Sequence, residues 1–271
     1  MFHFQLFPVE EIQPWGDSPP TLHWFGLTMG WFWIEISGQE LFRCTDAARK
    51  YWESQDPDCP PHALPYEDYQ VARYWEDLVG MLPEILDLIP DDLAALVADG
   101  QVWEAWQAAA RTWMEVTDTD HAWETHYAAV GWWGKRTWDA GHLAHPPCLW
   151  LWRVGETVHL RWDNRTVTVG DGIPVWTATA GEYTLPVADF IAHVTAFNDR
   201  FLAAMAARLQ AVQTHWSRPE ILLDFGELTQ SQATAAKLLD ANLNPWAWDI
   251  RRGISWDTVR AAINEITPTS G

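Results

Sequence analysis

Tryptophan constrains the fold of this chain more than any other residue, because 21 of its 271 residues are Trp. An indole side chain buries a large apolar area and needs a hydrogen-bond partner for its single N–H group. The stretch LHWFGLTMGWFWIEISGQELFRC, residues 22–44, alone contains three of them. So many indoles require a large core, and 48% hydrophobic residues are sufficient to build one.

Local periodicity divides the tryptophans into two groups. Most occupy positions that the apolar period turns inward, and we predict that they lie in the core: Trp75, Trp103, Trp106, Trp113, Trp150, Trp152 and Trp162. Others follow no period, and they are candidates for an aromatic face that binds a sugar, a cation or a protein side chain. These are Trp15, Trp132, Trp133, Trp246 and Trp248.

Alternating apolar residues predict strands near the N-terminus, in a region that we bound at residues 1–53. Residues 2–6 alternate, and TLHWF (21–25) and WFWIEI (31–36) are typical of strands. Ser37-Gly38 predicts a turn before a returning strand at 39–44. The four prolines between residues 54 and 65 predict a loop.

A helical block is predicted over residues 66–140. Apolar residues from Val71 to Ile89 have three-four spacing, and Pro83 either kinks this helix or starts a second one. Segments 102–113 and 121–138 predict further helices.

Strands resume in the region 148–180, where residues 148–169 have the alternation of an antiparallel meander and VWTATA (175–180) predicts one more strand. Helices follow over residues 187–266: the longest spans 187–216, and the last has Ser255 as its N-cap. The order predicts an α+β fold in one domain, residues 1–271, with antiparallel strands at the N-terminus and mid-chain packed against a Trp-rich helical block and a long C-terminal helical region.

Acidic residues outnumber basic ones by 37 to 17, a net charge of −20. Such a chain repels phosphate backbones and anionic lipids, so we expect no nucleic-acid and no membrane partner. The first residues lack the basic and apolar segments of a secretion signal, and three cysteines are too few for a disulfide framework. We therefore expect a cytoplasmic protein.

Over half of this charge is concentrated in the helical block. Residues 74–134 contain twelve acidic side chains against one basic residue, Arg111, a net charge of −11. The pattern fits either a solvated helix face or a docking surface for a basic protein. The predicted partner-binding residues are Glu84, Asp87, Asp91 and Asp92, the last two in an exposed loop.

Two mirrored segments, CPPH at 59–62 and HPPC at 145–148, each place a Cys and a His three positions apart. Together they could supply a tetrahedral zinc site, with His142 as a spare ligand, but their separation in sequence argues against it. We therefore predict no metal and no cofactor. HAWETH at 121–126 lacks the histidine spacing of zinc hydrolases, and no nucleophile or phosphate-binding motif is present. The sequence shows no catalytic motif, which favours a protein that is not an enzyme.

Several segments carry a family resemblance. PWG at 14–16, LHWFGLTMGWFWI at 22–34, ELFRC at 40–44, YEDYQVARYWEDL at 66–78 and LRWDN at 160–164 resemble a family of bacterial proteins of unknown function. The resemblance implies bacterial origin and a single domain, and it brings no activity or cofactor. Met29 departs from the acidic residue expected in the Thr-x-Gly turn.

Two functional hypotheses remain. The first is an acidic cytoplasmic protein that docks or neutralises a basic protein, as immunity proteins do; this analogy rests on size, acidity and the missing catalytic motifs. The second is an enzyme or metal-dependent ligand-binding protein that uses a Trp-lined cleft and the Cys/His pairs.

Overall fold

A computed structural model describes residues 1–16, 18–55, 64–244 and 255–267. It is about 52% helical and 21% strand, with antiparallel sheets and a Trp-rich helical block, which confirms the α+β fold. The strands are β1 Phe2–Leu6, β2 Met29–Ile36, β3 Gln39–Leu41, β4 Tyr69–Gln70, β5 Leu149–Val154, β6 Thr157–Asp163, β7 Thr168–Val169, β8 Ile173–Pro174 and β9 Ala180–Pro186. The helices are α1 Asp46–Gln55, α2 Val71–Leu86, α3 Asp91–Ala98, α4 Gly100–Thr117, α5 Asp120–Gly134, α6 Val187–Thr214, α7 Phe225–Ala235, α8 Leu238–Leu243 and α9 Trp256–Ile266.

The first sheet contains β1, β2, β3 and β4, with β2 in the middle and all pairings antiparallel. Gly30 lets β1 approach closely, because a Cβ there would lie 2.2 Å from the Gln5 carbonyl oxygen. The strand predicted at 21–25 is wrong, since only Thr21 of this stretch pairs among the described residues, in isolated bridges to Trp15 and Leu222. The stretch then leads into a short 3-10 turn, Gly26–Thr28. Helix α1 also lies in the region predicted to be strands.

The second sheet has the order β5-β6-β9. Its first hairpin is as predicted, but residues 168–169 leave the sheet and pair with residues 173–174 in a separate ribbon. The strand predicted at 175–180 is also wrong: only Trp176 pairs there, with Cys44, and the third strand of the sheet begins at Ala180. The sequence alternation therefore placed the third strand too early.

The second sheet separates two cores. Leu151 and Leu160 belong to the main core, which also includes the inner faces of α2 and α6. Trp152, also on β5, packs instead with residues of α3, α4, α5 and α9 in a second, Trp-rich core. Both faces of this sheet are covered, which explains the near-continuous apolar run of β5.

The predicted helices are confirmed with adjusted ends. Helix α2 continues through Pro83 rather than ending there. Ser255 caps α9 as predicted, accepting a hydrogen bond from the Thr258 backbone N–H at 3.1 Å. In the described part of the chain, no helix combines the length and apolarity needed to cross a membrane.

The exposure of these tryptophans shows that most of them belong to the core. Trp75, Trp103, Trp152 and Trp162 are buried as predicted, and the remaining three predicted core tryptophans are half-buried. Trp132 and Trp133, which follow no sequence period, are buried in the second core, so they do not form the aromatic binding face for which they were candidates. Trp15 is 48% exposed, and its role in a binding face stays a prediction. Trp246 and Trp248 lie outside the described residues.

Candidate functional site

The predicted partner-binding residues lie at the end of α2 and the start of α3. Glu84 is half-buried on α2, and Asp87 is buried just beyond its end. Asp91 and Asp92 are exposed, but they form the first turn of α3 rather than a loop, where their charge complements the helix N-terminus. Their role in binding a partner stays a prediction.

Two of these carboxylates already have basic partners from outside the acidic window. Asp87 pairs with Arg136, which is 2% exposed, across 3.5 Å. Asp92 holds the Arg260 guanidinium through two hydrogen bonds of 2.7 and 2.9 Å, and these bonds lower the pKa of Asp92. The number of acidic residues in this window therefore overstates the number of carboxylates that are available to a partner protein.

Arg136 connects several elements of the second core. Its guanidinium donates to the Trp132 carbonyl oxygen at 2.6 Å and lies 5.8 and 5.5 Å from the ring centroids of Trp132 and Trp256. These contacts bring the end of α2, α5 and α9 together around one buried cation. Asp87 is therefore part of the internal structure.

A cluster of exposed acidic residues lies on the hairpin of α4 and α5. We define the acidic hairpin surface as the carboxylates Glu115, Asp118, Asp120 and Glu124 with the side chains Val116, Trp123 and Tyr127. All four carboxylates are exposed, and none forms an ion pair or hydrogen bond with another side chain among the described residues. Val116, Trp123 and Tyr127 are 80%, 54% and 61% exposed.

Local sequence determines which side of α5 faces solvent. Asp118 ends α4 in the left-handed conformation, with φ 44°, and the Thr119 side chain caps α5 by accepting from the Ala122 backbone N–H. Ala122 and Ala129 are fully buried, which turns the opposite face outward. Asp120, Trp123, Glu124 and Tyr127 have the spacing i, i+3, i+4, i+7 and so form one stripe on that outward face.

Trp123 and Tyr127 were not among the predicted site residues. Their spacing was visible in the sequence, but an i, i+3, i+4, i+7 stripe that contains aromatics normally indicates an inward face. Only the buried alanines and tryptophans on the other side of α5 show that this stripe is exposed. His121, next to the stripe, bonds Glu265 of α9 at 2.9 Å and fixes the hairpin against that helix.

A second candidate site is a cleft between the start of α4 and the strands β5, β6 and β9. The cavity has a volume of about 430 Å³ and is lined by side chains from all four elements. Trp103, Trp133, Trp150 and Trp162 form its aromatic wall, and two arginines, four carboxylates and two glutamines provide its polar groups. This corresponds to the Trp-lined cleft of the second hypothesis.

Gly181 makes room for one wall of this cleft. It lies opposite Trp162 in the β6–β9 register, and a Cβ at residue 181 would come within 2.3 Å of the indole. The ring can therefore lie across the neighbouring strand only because this position is glycine.

The two Cys/His pairs that could have supplied a zinc site do not form one within the described residues. Cys59 and His62 lie outside the described residues, and His145 stacks on Trp52 with 5.9 Å between ring centroids. Burial raises the pKa of the Cys148 thiol, which disfavours the thiolate that zinc binds. Among the described residues, no group of three His, Cys, Asp or Glu could hold a metal ion.

His142, the spare zinc ligand, is instead buried between two tyrosine rings. Its ring centroid lies 4.3 Å from that of Tyr69 and 5.0 Å from that of Tyr74. Burial lowers its pKa to about 4 and raises that of Asp77, whose Oδ2 lies 4.0 Å from His142 Nδ1, to about 7. The environment therefore favours the neutral form of both groups.

The amino-acid sequence of the chain matches one known protein family. One family profile, "Family of unknown function (DUF5984)", matches residues 1–262, from the first strand into α9. The chain belongs to this family. The match confirms the resemblance to a family of unknown function, without adding an activity. No curated protein and no solved structure matches the chain.

Proposed function

We propose that this protein binds a basic protein partner, and that the acidic hairpin surface is the contact region. The observation that carries the proposal is the stripe of α5, where Trp123 and Tyr127 stand exposed between carboxylates that have no basic partner among the described residues. Large aromatic side chains are normally buried in a monomer, and Trp and Tyr dominate the binding energy of protein interfaces.

The chemistry of this surface matches Lys and Arg side chains. Carboxylates at Asp120 and Glu124 can pair with a guanidinium or ammonium group while the neighbouring aromatic rings accept the same cation over their faces. The overall charge of −20 accelerates the approach of a positively charged protein and repels an acidic one. Asp91 and Asp92 remain predicted contacts on the same helical block.

Under this proposal the protein works in the cytoplasm of a bacterium. It binds and neutralises a basic protein there, as immunity proteins bind and neutralise their toxins. The odd number of cysteines favours a reducing compartment. The protein shares acidity, size and the absence of catalytic motifs with immunity proteins.

The test begins with the tagged protein drawn from its own host at low salt and analysed by native mass spectrometry. We expect a basic polypeptide that salt releases, and its affinity for the purified protein can then be measured by calorimetry. The double variant Trp123→Ala/Tyr127→Ala should weaken that affinity roughly 30-fold or more, because even one truncated interface hot spot costs about 2 kcal/mol.

Charge is tested with two variants that change the net charge equally. The first neutralises the hairpin surface (E115Q/D118N/D120N/E124Q), and the second neutralises four exposed carboxylates elsewhere (E53Q/D171N/D189N/D240N). The hairpin variant should lose at least about tenfold in affinity and most of its salt dependence, whereas the matched control should lose much less. Equal losses in both variants, or a partner that is not basic, would disprove the proposed surface.

The alternative function, an enzyme or ligand-binding protein, is supported by a different observation: the cleft beside α4 combines aromatic walls with polar groups. This combination is common in small-molecule sites.

A further inference from the structure

The cleft between α4 and the second sheet is chemically unlike the acidic hairpin surface. Its two arginines are each next to a carboxylate: Arg165 Nε donates to Asp163 Oδ1 at 2.8 Å, and Arg161 Nη2 lies 3.7 Å from Glu182 Oε1. Asp99 accepts from the backbone N–H groups of Gln101 and Val102 and so caps α4. Each arginine in this cleft is therefore matched by a carboxylate, and one of the two remaining carboxylates caps a helix.

We infer that this cleft binds a neutral, polyhydroxylated ligand, a sugar of one or two rings. Its volume of about 430 Å³ is within the usual range of small-molecule sites, roughly 300–1,000 Å³. Trp150 is half-buried and lines the cleft. The apolar C–H face of a sugar ring can pack on such an indole while its hydroxyls point to the polar groups.

The polar groups of the cleft are a mixture of donors and acceptors. Arg161, Arg165 and Gln107 present N–H donors, and Glu104 and Glu182 present acceptor oxygens. A hydroxyl group both donates and accepts, so a sugar can use both kinds of group at once. An anionic ligand would face the two glutamates, and a cationic ligand would face the two arginines.

Two buried N–H groups at the wall of the cleft lack a partner. Trp103 and Trp162 are 2% and 4% exposed, and their Nε1 atoms have no hydrogen-bond acceptor among the described residues. A buried donor without an acceptor costs about 1–3 kcal/mol. Because these two atoms are inaccessible to solvent, a ligand reaches either indole N–H only if the wall of the cleft shifts.

Arg161 is held in place before any ligand arrives. Its Nη2 donates to the Ala98 carbonyl oxygen at 2.8 Å, and its guanidinium lies 5.0 Å from the Trp152 ring centroid. Gly100 allows this close approach, since a Cβ there would lie 3.1 Å from Arg161 Nη1. A donor that is already fixed loses little conformational entropy on binding.

The experiment is saturation-transfer NMR on the full chain with neutral sugars at millimolar concentration: D-glucose, D-galactose, N-acetyl-D-glucosamine, cellobiose, maltose and lactose. D-glucosamine and D-glucuronate serve as cationic and anionic probes. We expect transfer to at least one neutral sugar, accompanied by a change in tryptophan fluorescence, and weaker or no transfer to the charged probes.

Two double variants locate the binding. In Glu104→Ala/Gln107→Ala, both substitutions are on α4 and line the cleft, and the dissociation constant should rise at least about tenfold if one or two hydrogen bonds are lost. In the control, Glu53→Ala/Gln210→Ala, both positions are exposed on helices and do not line the cleft, and affinity should not change. Alanine favours helix, so all four positions should keep their fold, which circular dichroism verifies.

Three results would overturn the inference: no transfer to any of the six neutral sugars, preferential binding of a charged probe, or equal affinity in the two double variants. None of these results bears on the acidic hairpin surface. The two proposals can therefore fail independently.

Discussion

Two acidic residues at the α2–α3 junction, Asp87 and Asp92, come from the same charge-dense window as those on the α4–α5 hairpin, yet only these two of the compared residues form ion pairs among the described residues. Asp87 is buried against Arg136. Both carboxylate oxygens of Asp92 accept a hydrogen bond from the Arg260 guanidinium. The hairpin carboxylates face solvent without an ion-pair partner among the described residues, next to two exposed aromatic rings. Equal formal charge thus serves internal structure at one end and remains available for binding at the other.

The difference teaches that distant residues decide what a carboxylate does. Arg136 follows Asp87 by 49 positions, and Arg260 follows Asp92 by 168. Neither arginine lies in the acidic window of residues 74–134. Only folding brings them to their acidic partners.

Replacing Asp87 by Ala should give the largest effect. It leaves Arg136 buried without its carboxylate, and breaking a buried ion pair in this way costs about 3 kcal/mol. Urea denaturation of the purified variant measures this loss. Asp91→Ala, an exposed carboxylate four residues away, is the control and should cost less than about 1 kcal/mol. Similar losses in the two variants would mean that the junction is no different from the surface.

The pH dependence of stability should separate Asp77 from His142. The pKa of Asp77 is raised to about 7 mainly by burial, so its folded form holds a proton more tightly than the unfolded chain, and its contribution falls as pH rises from about 4 to 7. The pKa of His142 is lowered to about 4 by burial, so its contribution rises with pH between about 4 and 6.5. The two contributions oppose each other in the wild-type protein.

Single variants should expose each contribution. Relative to wild type, Asp77→Asn should become progressively more stable as pH rises from 4 to 7, because the remaining histidine is no longer opposed. His142→Phe should show the reverse trend, becoming relatively less stable over pH 4 to 6.5. Urea midpoints across this range test both trends. Parallel curves for the three proteins would contradict the burial of this pair.

The smallest effect on stability is expected on the hairpin. Exposed substitutions usually change stability by no more than about 0.5 kcal/mol each, and removing like charges offsets the loss of Asp120 at the start of α5. The variant E115Q/D118N/D120N/E124Q should therefore melt close to wild type in low salt. A loss comparable to that of Asp87→Ala would show that these carboxylates support the fold and would remove the contrast between the two regions.

Much of the architecture could be predicted because periodicity reports directly on burial. Spacings of a few residues predict the buried face of α6, the Ser255 cap and the β5–β6 hairpin. The third strand of the second sheet was misplaced because local alternation does not specify which segment pairs with β6. The sequence suggested a Trp-lined cleft but not the residues that form it. The start of α4 and the strands that line the cleft lie about 50 to 80 residues apart.

The sequence by itself determined the α+β class, most helices, the charge and its concentration in one block. These properties depend on neighbours along the chain, whose periodic burial and composition are visible without a structure. Tertiary structure alone decided that Trp132 and Trp133 are buried while Trp123 and Tyr127 are exposed, and that Arg136 and Arg260 neutralise carboxylates far from them in sequence. The physical reason is that solvent exposure and charge pairing depend on contacts between distant segments.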